Sequence, residues 1–405
     1  MRRPAARNES IATAQEETEE SVSAGDFNAR LVKESFAHFM ANGPSAMEHF
    51  YSHLFTASPE MRAMFPMDMS QVREHVFTAL ARLIWMIDAP EDSAAYLAQL
   101  GRDHRKYGVK EKHYLSFFTT LMDTVAWFSG RDWTPETAES WRKAVLYAAR
   151  MMRMAAQEDA RNHPAWWVGE ITAHEQRGES VAVLTVAPDR PLPYWPGQYL
   201  RVQVTRWPRV WRCYSVASAP RGDGALTLHV RAISGGMVST ALVRHVVPGD
   251  TVLLGPAAGT MTVPDNDRDL LCVAGGTGLA PVKAIIEDAA RRRRDRKITL
   301  FAGARTQRDL YDLPGLARLQ ADCPALEIVA VIADPAPLTQ PAGDCPRLSW
   351  YCGLLPDVVR ACGLFENSEA FVSGPPAMVA QTAALLAAHV PAAQIHHDPL
   401  PGAIL

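Results

Sequence analysis

Leu270-Leu271-Cys272-Val273-Ala274-Gly275-Gly276-Thr277-Gly278-Leu279-Ala280-Pro281 is the stretch on which the fold class of this chain turns. It opens on apolar residues without a break, the pattern of a strand buried on both faces. Three glycines follow, and Pro281 suits the first turn of a helix. A strand, a glycine turn and a helix start form a setting in which a pyrophosphate can approach the backbone. The spacing is not G-x-G-x-x-G, and taken alone the stretch also fits a tight turn with no ligand.

Working outward, apolar runs at 298–302, 327–332 and 370–372 alternate with helical segments at 281–292 and after Pro376. That alternation predicts a parallel sheet with helices on both faces. Ser373-Gly374-Pro375-Pro376 follows the last of these runs as a second glycine turn at the same sheet edge. Upstream, Pro264-Asp265-Asn266-Asp267 reads as a polar linker. Before it, β-rich runs at 181–186, 199–204, 226–230 and 251–254 are separated by turns containing Gly and Pro. Short strands spaced in this way predict a small antiparallel barrel.

The barrel segment carries Arg212-Cys213-Tyr214-Ser215, behind Pro196-Gly197-Gln198-Tyr199. A flavin needs a flat partner for its ring, a hydrogen-bond donor near N5 and positive charge for its phosphates. Tyr214, Ser215 and Arg212 can supply these in turn, although a plain strand with an exposed arginine has the same pattern. Gly235-Gly236, with Met237, Val238 and Ser239 opening a helix-like run, offers backbone N–H groups to an anion. The motifs at 212–215, 275–278 and 373–376, in this order along the chain, are far more specific than any one of them.

From 27 to 161 the periodicity is helical, with almost no strand signal. Helices are expected at 27–41, 44–57, 70–88, 93–107, 111–129 and 134–161, with Pro44, Pro59, Pro66, Pro90 and Pro135 at starts and corners. Val72, Val76, Ala79, Leu83 and Ile87 form one stripe. A second holds Leu97, Leu100, His104 and Tyr107; a third holds Tyr114, Phe117, Leu121, Val125 and Phe128. Tyr147, Met151, Met154 and Glu158 share the last. His104 reads either as a core histidine or as a metal ligand. Tyr114 and Glu158 on apolar stripes are costly to bury unpaired. A buried chain Glu158–Tyr114–His104 satisfies all three, and orients the imidazole as partners of a metal ligand do.

The residues from about 165 to 400 resemble the ferredoxin-reductase superfamily of FAD/NAD(P) oxidoreductases. The resemblance implies that Arg212 meets an FAD phosphate, Tyr214 stacks on the ring and Ser215 faces N5, with Tyr199 and Cys213 beside them. It places a second flavin-phosphate loop on Gly236, Met237, Val238 and Ser239, and the nucleotide loop on Gly275, Gly276, Thr277 and Gly278. Ser373, Gly374 and Pro375 stand where that family has C-G-P. From Phe27 to Glu158 the chain resembles the globin domain of flavohaemoglobins. This implies His104 as the proximal haem ligand, Tyr114 and Glu158 as its hydrogen-bonding partners, Tyr51 as the distal tyrosine and Phe65 as an aromatic against the haem. The family's distal glutamine position falls on Val72, next to Gln71, with Val76 on the same stripe. His75, a rival histidine, is turned away from that stripe. Asp398 falls on the family's C-terminal acid, and Leu400, after Pro399, stands near the position of its aromatic.

Charged residues make up 21% and hydrophobic residues 48% of the 405, an ordinary globular balance. The net charge of −3 argues against a nucleic-acid binder. The run Arg291-Arg292-Arg293-Arg294 reads as a solvated helix end. Six scattered cysteines, Cys345 among them, include no C-x-x-C pair and suit a reducing compartment. No apolar run approaches the roughly 20 residues of a membrane helix. The basic start gives way to polar and acidic residues, so no signal peptide is expected, and the cytoplasm is the expected location.

The expected organisation is multidomain: a disordered tail 1–25, an all-α globin 26–161, an antiparallel β-barrel FAD domain 162–264 and an α/β parallel-sheet NAD(P) domain 265–405. The resemblance implies haem b, FAD and NAD(P)H as cofactors. NADH is favoured on family grounds, although Arg305 could meet a 2′-phosphate. It further implies a nitric oxide dioxygenase with O2 and NO as substrates. Two other readings stay open: a haem-based sensor or binding module kept ferrous by its reductase, and a flavin reductase acting on haem, quinone or peroxide with a structural globin.

Overall fold

The computed structural model describes residues 23, 25–293, 295–334, 348–363 and 365–398. The expected disordered start therefore falls almost wholly outside the described residues, as do Arg294, Cys345, Pro399 and Leu400. The chain divides into two compact units, one ending at Ala165 and the other beginning at Trp166.

The first unit is helical: α1 (Ala29–Ala41), α2 (Gly43–Ala57), α3 (Ser70–Trp85), α4 (Pro90–His104), α5 (Glu111–Ser129) and α6 (Pro135–Asn162). Pro44, Pro90 and Pro135 sit in the first turns of α2, α4 and α6, where the missing N–H is no loss. Asn28 caps α1 by accepting from the N–H groups of Arg30 and Leu31. The core collects Phe36, Phe39, Phe50, Leu54, Leu97, Leu121, Val125 and Trp141. Trp141, nearly fully buried, donates its indole N–H to Ser35 Oγ at 2.8 Å. Helices α4 and α6 cross at Gly101, where a Cβ would lie 2.1 Å from the Met152 carbonyl oxygen. Only glycine permits that approach, and it fixes the end of α4 that carries His104.

The second unit begins with six antiparallel strands: β1 (Trp167–Gln176), β2 (Val181–Pro188), β3 (Tyr199–Val204), β4 (Arg212–Ser215), β5 (Leu226–Arg231) and β6 (Thr251–Leu254). Their order is β4-β3-β6-β1-β2-β5. A bridge between Val216 and Leu228, and the bond from Ala217 N–H to Thr227 O at 2.7 Å, bring the two edges together into a nearly closed barrel. Strand β1 was not expected. It buries Trp167, Gly169 and Ile171 on alternate positions, and its other positions are polar enough to hide the run. Helix α7 (Met237–Arg244) packs on the barrel.

Beyond the Pro264–Asp267 loop, a second sheet is parallel throughout. It runs β10-β9-β8-β7-β11-β12, from β7 (Asp269–Gly275), β8 (Ile298–Ala304), β9 (Leu326–Ile332), β10 (Leu348–Cys352), β11 (Ser368–Ser373) and β12 (Ile395–His396). Helices α8 (Leu279–Arg292), α9 (Leu313–Asp322), α10 (Leu355–Cys362) and α11 (Pro376–Leu386) connect the strands. Leu270, Cys272 and Leu300 face one apolar layer, while Leu271, Val273 and Phe301 face another. That double burial accounts for the unbroken apolar runs in the sequence. Among the described residues no helix is long and apolar enough to cross a membrane.

Candidate functional site

In the helical unit, His104 is the last residue of α4. It is half-buried, and its Nδ1 lies 2.6 Å from the Leu100 carbonyl oxygen. Nδ1–H donates to that carbonyl, which fixes the tautomer and leaves the Nε2 lone pair free to bind a metal. Burial also holds the imidazole pKa below its ordinary value, so the ring is neutral. The rings of Tyr107 and Tyr114 stand edge-on to it, with centroids at 6.4 and 6.2 Å. Burial pushes the Tyr114 hydroxyl up to about 12.

The buried chain Glu158–Tyr114–His104 does not form. Glu158 is 65% exposed and pairs with Arg161. The core face of α6 runs through Trp141, Val145, Ala148 and Met152. Glu158 lies about a third of a turn round from it at 100° per residue. Asp159 falls on that face instead, largely buried and paired with Arg105, the residue after His104. The apolar stripe Tyr147–Met151–Met154 hid this, because Met154 is 49% exposed.

Tyr51, on α2, is 2% exposed. It stands edge-on to Phe65 at 5.6 Å, and Phe55 packs against both. Its hydroxyl is buried and has no hydrogen-bond partner, a costly arrangement in an aromatic setting. Burial holds its proton firmly, with the pKa well above the ordinary phenol value. Val72 and Val76 are half-buried against the same core, while Gln71 and His75 are exposed. An orphan hydroxyl, a neutral imidazole with its tautomer fixed and an aromatic wall fit a haem with a polar diatomic ligand.

In the second unit, β7 and β11 are neighbours that register Ala274 opposite Ser373. The chain leaves β7 towards β8 on one side and returns as β11 on the other, so their C-terminal ends form a topological switch point. The two glycine turns pack there. A Cβ on Gly278 would lie 2.3 Å from the Ser373 carbonyl oxygen, and one on Gly374 would lie 2.9 Å from the Gly275 oxygen. Gly276 has φ +55, and the guanidinium of Arg231 lies 3.7 Å from where its Cβ would sit. A cleft of about 1220 Å³ opens over these turns, lined also by Cys213, Tyr214, Ser215, Pro375 and Arg305. The flavin and nucleotide motifs thus share one cleft. Arg231 and His229, at the end of β5, line it too and were missed by the sequence reading. The only signal for them is a His-Val-Arg run shortly before Gly235.

Tyr214 is half-buried, and desolvation raises its hydroxyl pKa far above the ordinary value. Gly236 caps α7 without a side-chain bond, so the first N–H groups of the helix, at Met237, Val238 and Ser239, are not taken by a cap. A Cβ on Gly236 would lie 2.4 Å from Ser239 Oγ. This is a backbone cradle of the kind a phosphate occupies. Arg212 and Tyr199 lie on the adjacent strands β4 and β3. Asp398 is brought beside Tyr199: a Cβ on Gly259, at φ +100, would touch both at 3.2 and 3.1 Å. Its Oδ1 is buried without a partner, and burial raises its pKa. These features fit FAD and a nicotinamide dinucleotide.

His229 also anchors a buried network. Its Nδ1 lies 2.8 Å from Tyr311 Oη, its Nε2 lies 4.0 Å from Asp312, and Lys283 holds Asp312 at 2.8 Å. Burial pushes the imidazole down to about 3 from 6.5. An unfolded chain therefore binds a proton between about 6.5 and about 3 that the folded ring refuses, and stability falls as pH drops through that window. The slope is at most about 1.4 kcal/mol per pH unit. The urea midpoint of His229→Gln is expected to fall less than that of the parent between pH 7 and pH 5, and an equal fall in both would contradict this.

Three family profiles match: Globin at residues 48–152, Oxidoreductase FAD-binding domain at 169–262 and Oxidoreductase NAD-binding domain at 272–384. The chain is 33% identical over 240 residues to the ferredoxin–NAD(P)+ reductase component of the naphthalene 1,2-dioxygenase system of Pseudomonas putida, covering 58% of this chain and 70% of that one. It is 23% identical over 295 residues to a flavohemoprotein of Vibrio cholerae, covering 67% of this chain and 74% of that one. The structure of a flavohemoglobin from Malassezia yamatoensis with bound FAD and heme superposes with a TM-score of 0.68 at 16% identity, over 90% of this chain and 98% of that chain. Among the reductase components matched, the chain spans between 50% and 70% of their length.

Proposed function

We propose that this chain, which belongs to the flavohaemoglobin-type oxidoreductases in which a globin is joined to FAD- and NAD-binding modules, oxidises nitric oxide to nitrate with O2. Two NO and two O2 are consumed for each NAD(P)H, giving two nitrates, NAD(P)+ and a proton. The haem and FAD supply the redox chemistry, turning one hydride into single electrons at iron. The chain's residues do the rest. His104 presents Nε2 because Nδ1–H is committed to Leu100. Tyr51 keeps a proton on an unpartnered buried hydroxyl, ready to donate to a polar ligand. That orphan hydroxyl is the observation that carries the reading, since a buried donor without a partner costs free energy unless a ligand uses it.

NADH is the proposed donor. Asp309 and Asp334 line the cleft with Arg305, so a 2′-phosphate meets two carboxylates and one guanidinium. The test is an NO electrode trace of the haem- and FAD-loaded protein in air with NADH, read together with nitrate. Tyr51→Phe is expected to lower NO turnover about a hundredfold, as loss of one directed donor does elsewhere, with haem and FAD content unchanged. NO consumption no faster with NADH than without it would end the proposal. Val72, half-buried and apolar, motivates a second reading. An oxygen complex that persists for minutes and reacts slowly with NO favours a sensor.

A further inference from the structure

The chain leaves the barrel through the Pro264–Asp267 loop and comes back towards it after β12. Two residues beyond that strand, Asp398 stands beside Tyr199 of β3. Strand β12 is a weak anchor for this return. It has two residues, lies at the edge of the sheet and pairs with β11 at Ile395 and His396. An ordinary strand has about five or six.

Both connections converge on one carboxylate. Glu369, on β11, is 1% exposed, and its Oε2 lies 2.7 Å from His396 Nε2. Its Oε1 accepts from Asn266 Nδ2 and from Arg268 Nη1, each at 2.8 Å. Arg296 Nη2 in turn donates to Asn266 Oδ1 at 3.2 Å. Burial opposes the charge on Glu369, but the bonds from His396, Arg268 and Asn266 outweigh it, so its pKa lies below the ordinary carboxylate value. Bonds to an ionised acceptor are strong and short, which makes this carboxylate a fixed point for three donors. The imidazole is also located by stacking on Phe371, with centroids 4.8 Å apart and planes at 17°. What this clasp holds in place is Asp398. Tyr199 pairs with Ser215 across β3 and β4, so Asp398 stands at the flavin motif. Its Oδ1 is buried and unpartnered, an arrangement that costs free energy unless a ligand uses it.

We propose that His396 and Glu369 are positioning residues for hydride transfer: the bond between them fixes the returning strand, and with it the place of Asp398 at the flavin motif. The step they serve moves one hydride, with its electron pair, from NAD(P)H to the flavin and leaves NAD(P)+. The proposal rests on FAD and NAD(P)H sharing the cleft, and it stands whether or not NO is the globin's substrate. Neither residue needs to touch the reacting atoms, so the effect of each passes through Asp398.

The experiment mixes the holoprotein with NADH in an anaerobic stopped-flow instrument. It reads the limiting rate of flavin bleaching and the NADH concentration that gives half of it. His396→Phe keeps a ring against Phe371 and removes the donor. It is expected to lower the limiting rate about tenfold, since about 1 Å of misplacement costs about a hundredfold, while the half-saturating NADH concentration changes less than about twofold. His396→Gln, whose side-chain N–H reaches the place of Nε2–H, is expected to recover most of the loss. Asp398→Ala is expected to be slow by itself, and adding His396→Phe to it is expected to slow bleaching no further, because coupled residues are not additive. FAD content and bleaching by dithionite are expected to stay parental throughout. A parent whose flavin NADH leaves unbleached ends the cofactor reading and the clasp together. With a parent that is bleached, a parental rate in His396→Phe overturns the clasp alone. So does the same fold loss from that change whether or not Asp398 is present.

Discussion

Replacing His104 by alanine is expected to leave a protein with full FAD content, no Soret band after haem supplementation and NO consumption at background. His104 is the imidazole whose tautomer is set by a carbonyl, with Nδ1 at 2.6 Å from Leu100 O. Burial keeps it neutral and therefore able to ligate. The exposed His75 offers no replacement on that stripe. NADH-dependent reduction of menadione reports on the second unit and is expected to stay at the parental rate. Added imidazole is expected to restore part of the haem absorbance, because it replaces the lost ligand. A variant that holds stoichiometric haem and turns over NO at the parental rate shows that the metal is held elsewhere.

The second large effect is expected at Gly278. A single methyl there meets the Ser373 carbonyl oxygen at 2.3 Å, a backbone atom with no rotamer to yield. Gly278→Ala must therefore separate the two glycine turns at the ends of β7 and β11. A displacement of about 1 Å in a reacting pair costs about a hundredfold in rate. The rate of flavin bleaching by NADH in a stopped-flow experiment is expected to fall by about that factor, while dithionite bleaches the flavin at the parental rate. Overpacking of this kind also destabilises by about 1–3 kcal/mol, so the thermal midpoint should be measured alongside. Parental bleaching by NADH with an unchanged midpoint means that the turns are looser than this contact requires.

Much of this protein was legible from local pattern. The unbroken apolar runs foretold strands covered on both faces, because the parallel sheet has an apolar layer on each side. Prolines marked the starts of α2, α4 and α6, since they fix φ and lack an N–H that the first turn leaves unbonded anyway. The glycine turns were visible too, but not the reason for each glycine: Gly278 and Gly374 are needed because two turns far apart in sequence touch.

The tertiary structure alone decided the polar partnerships. Helical phase read over a short window put Glu158 inward, and the crossing of α4 on α6 puts Asp159 there instead, against Arg105. The imidazole of His104 is oriented by the carbonyl of its own helix rather than by a distant carboxylate. Arg231 and His229 join the cleft only because the end of β5 comes up against the turn after β7. Periodicity records how each residue sits on its own element, a matter of backbone geometry. Which polar group meets which depends on the contact between elements, and there a shift of one residue turns a side chain by 100° on a helix or to the opposite face of a strand.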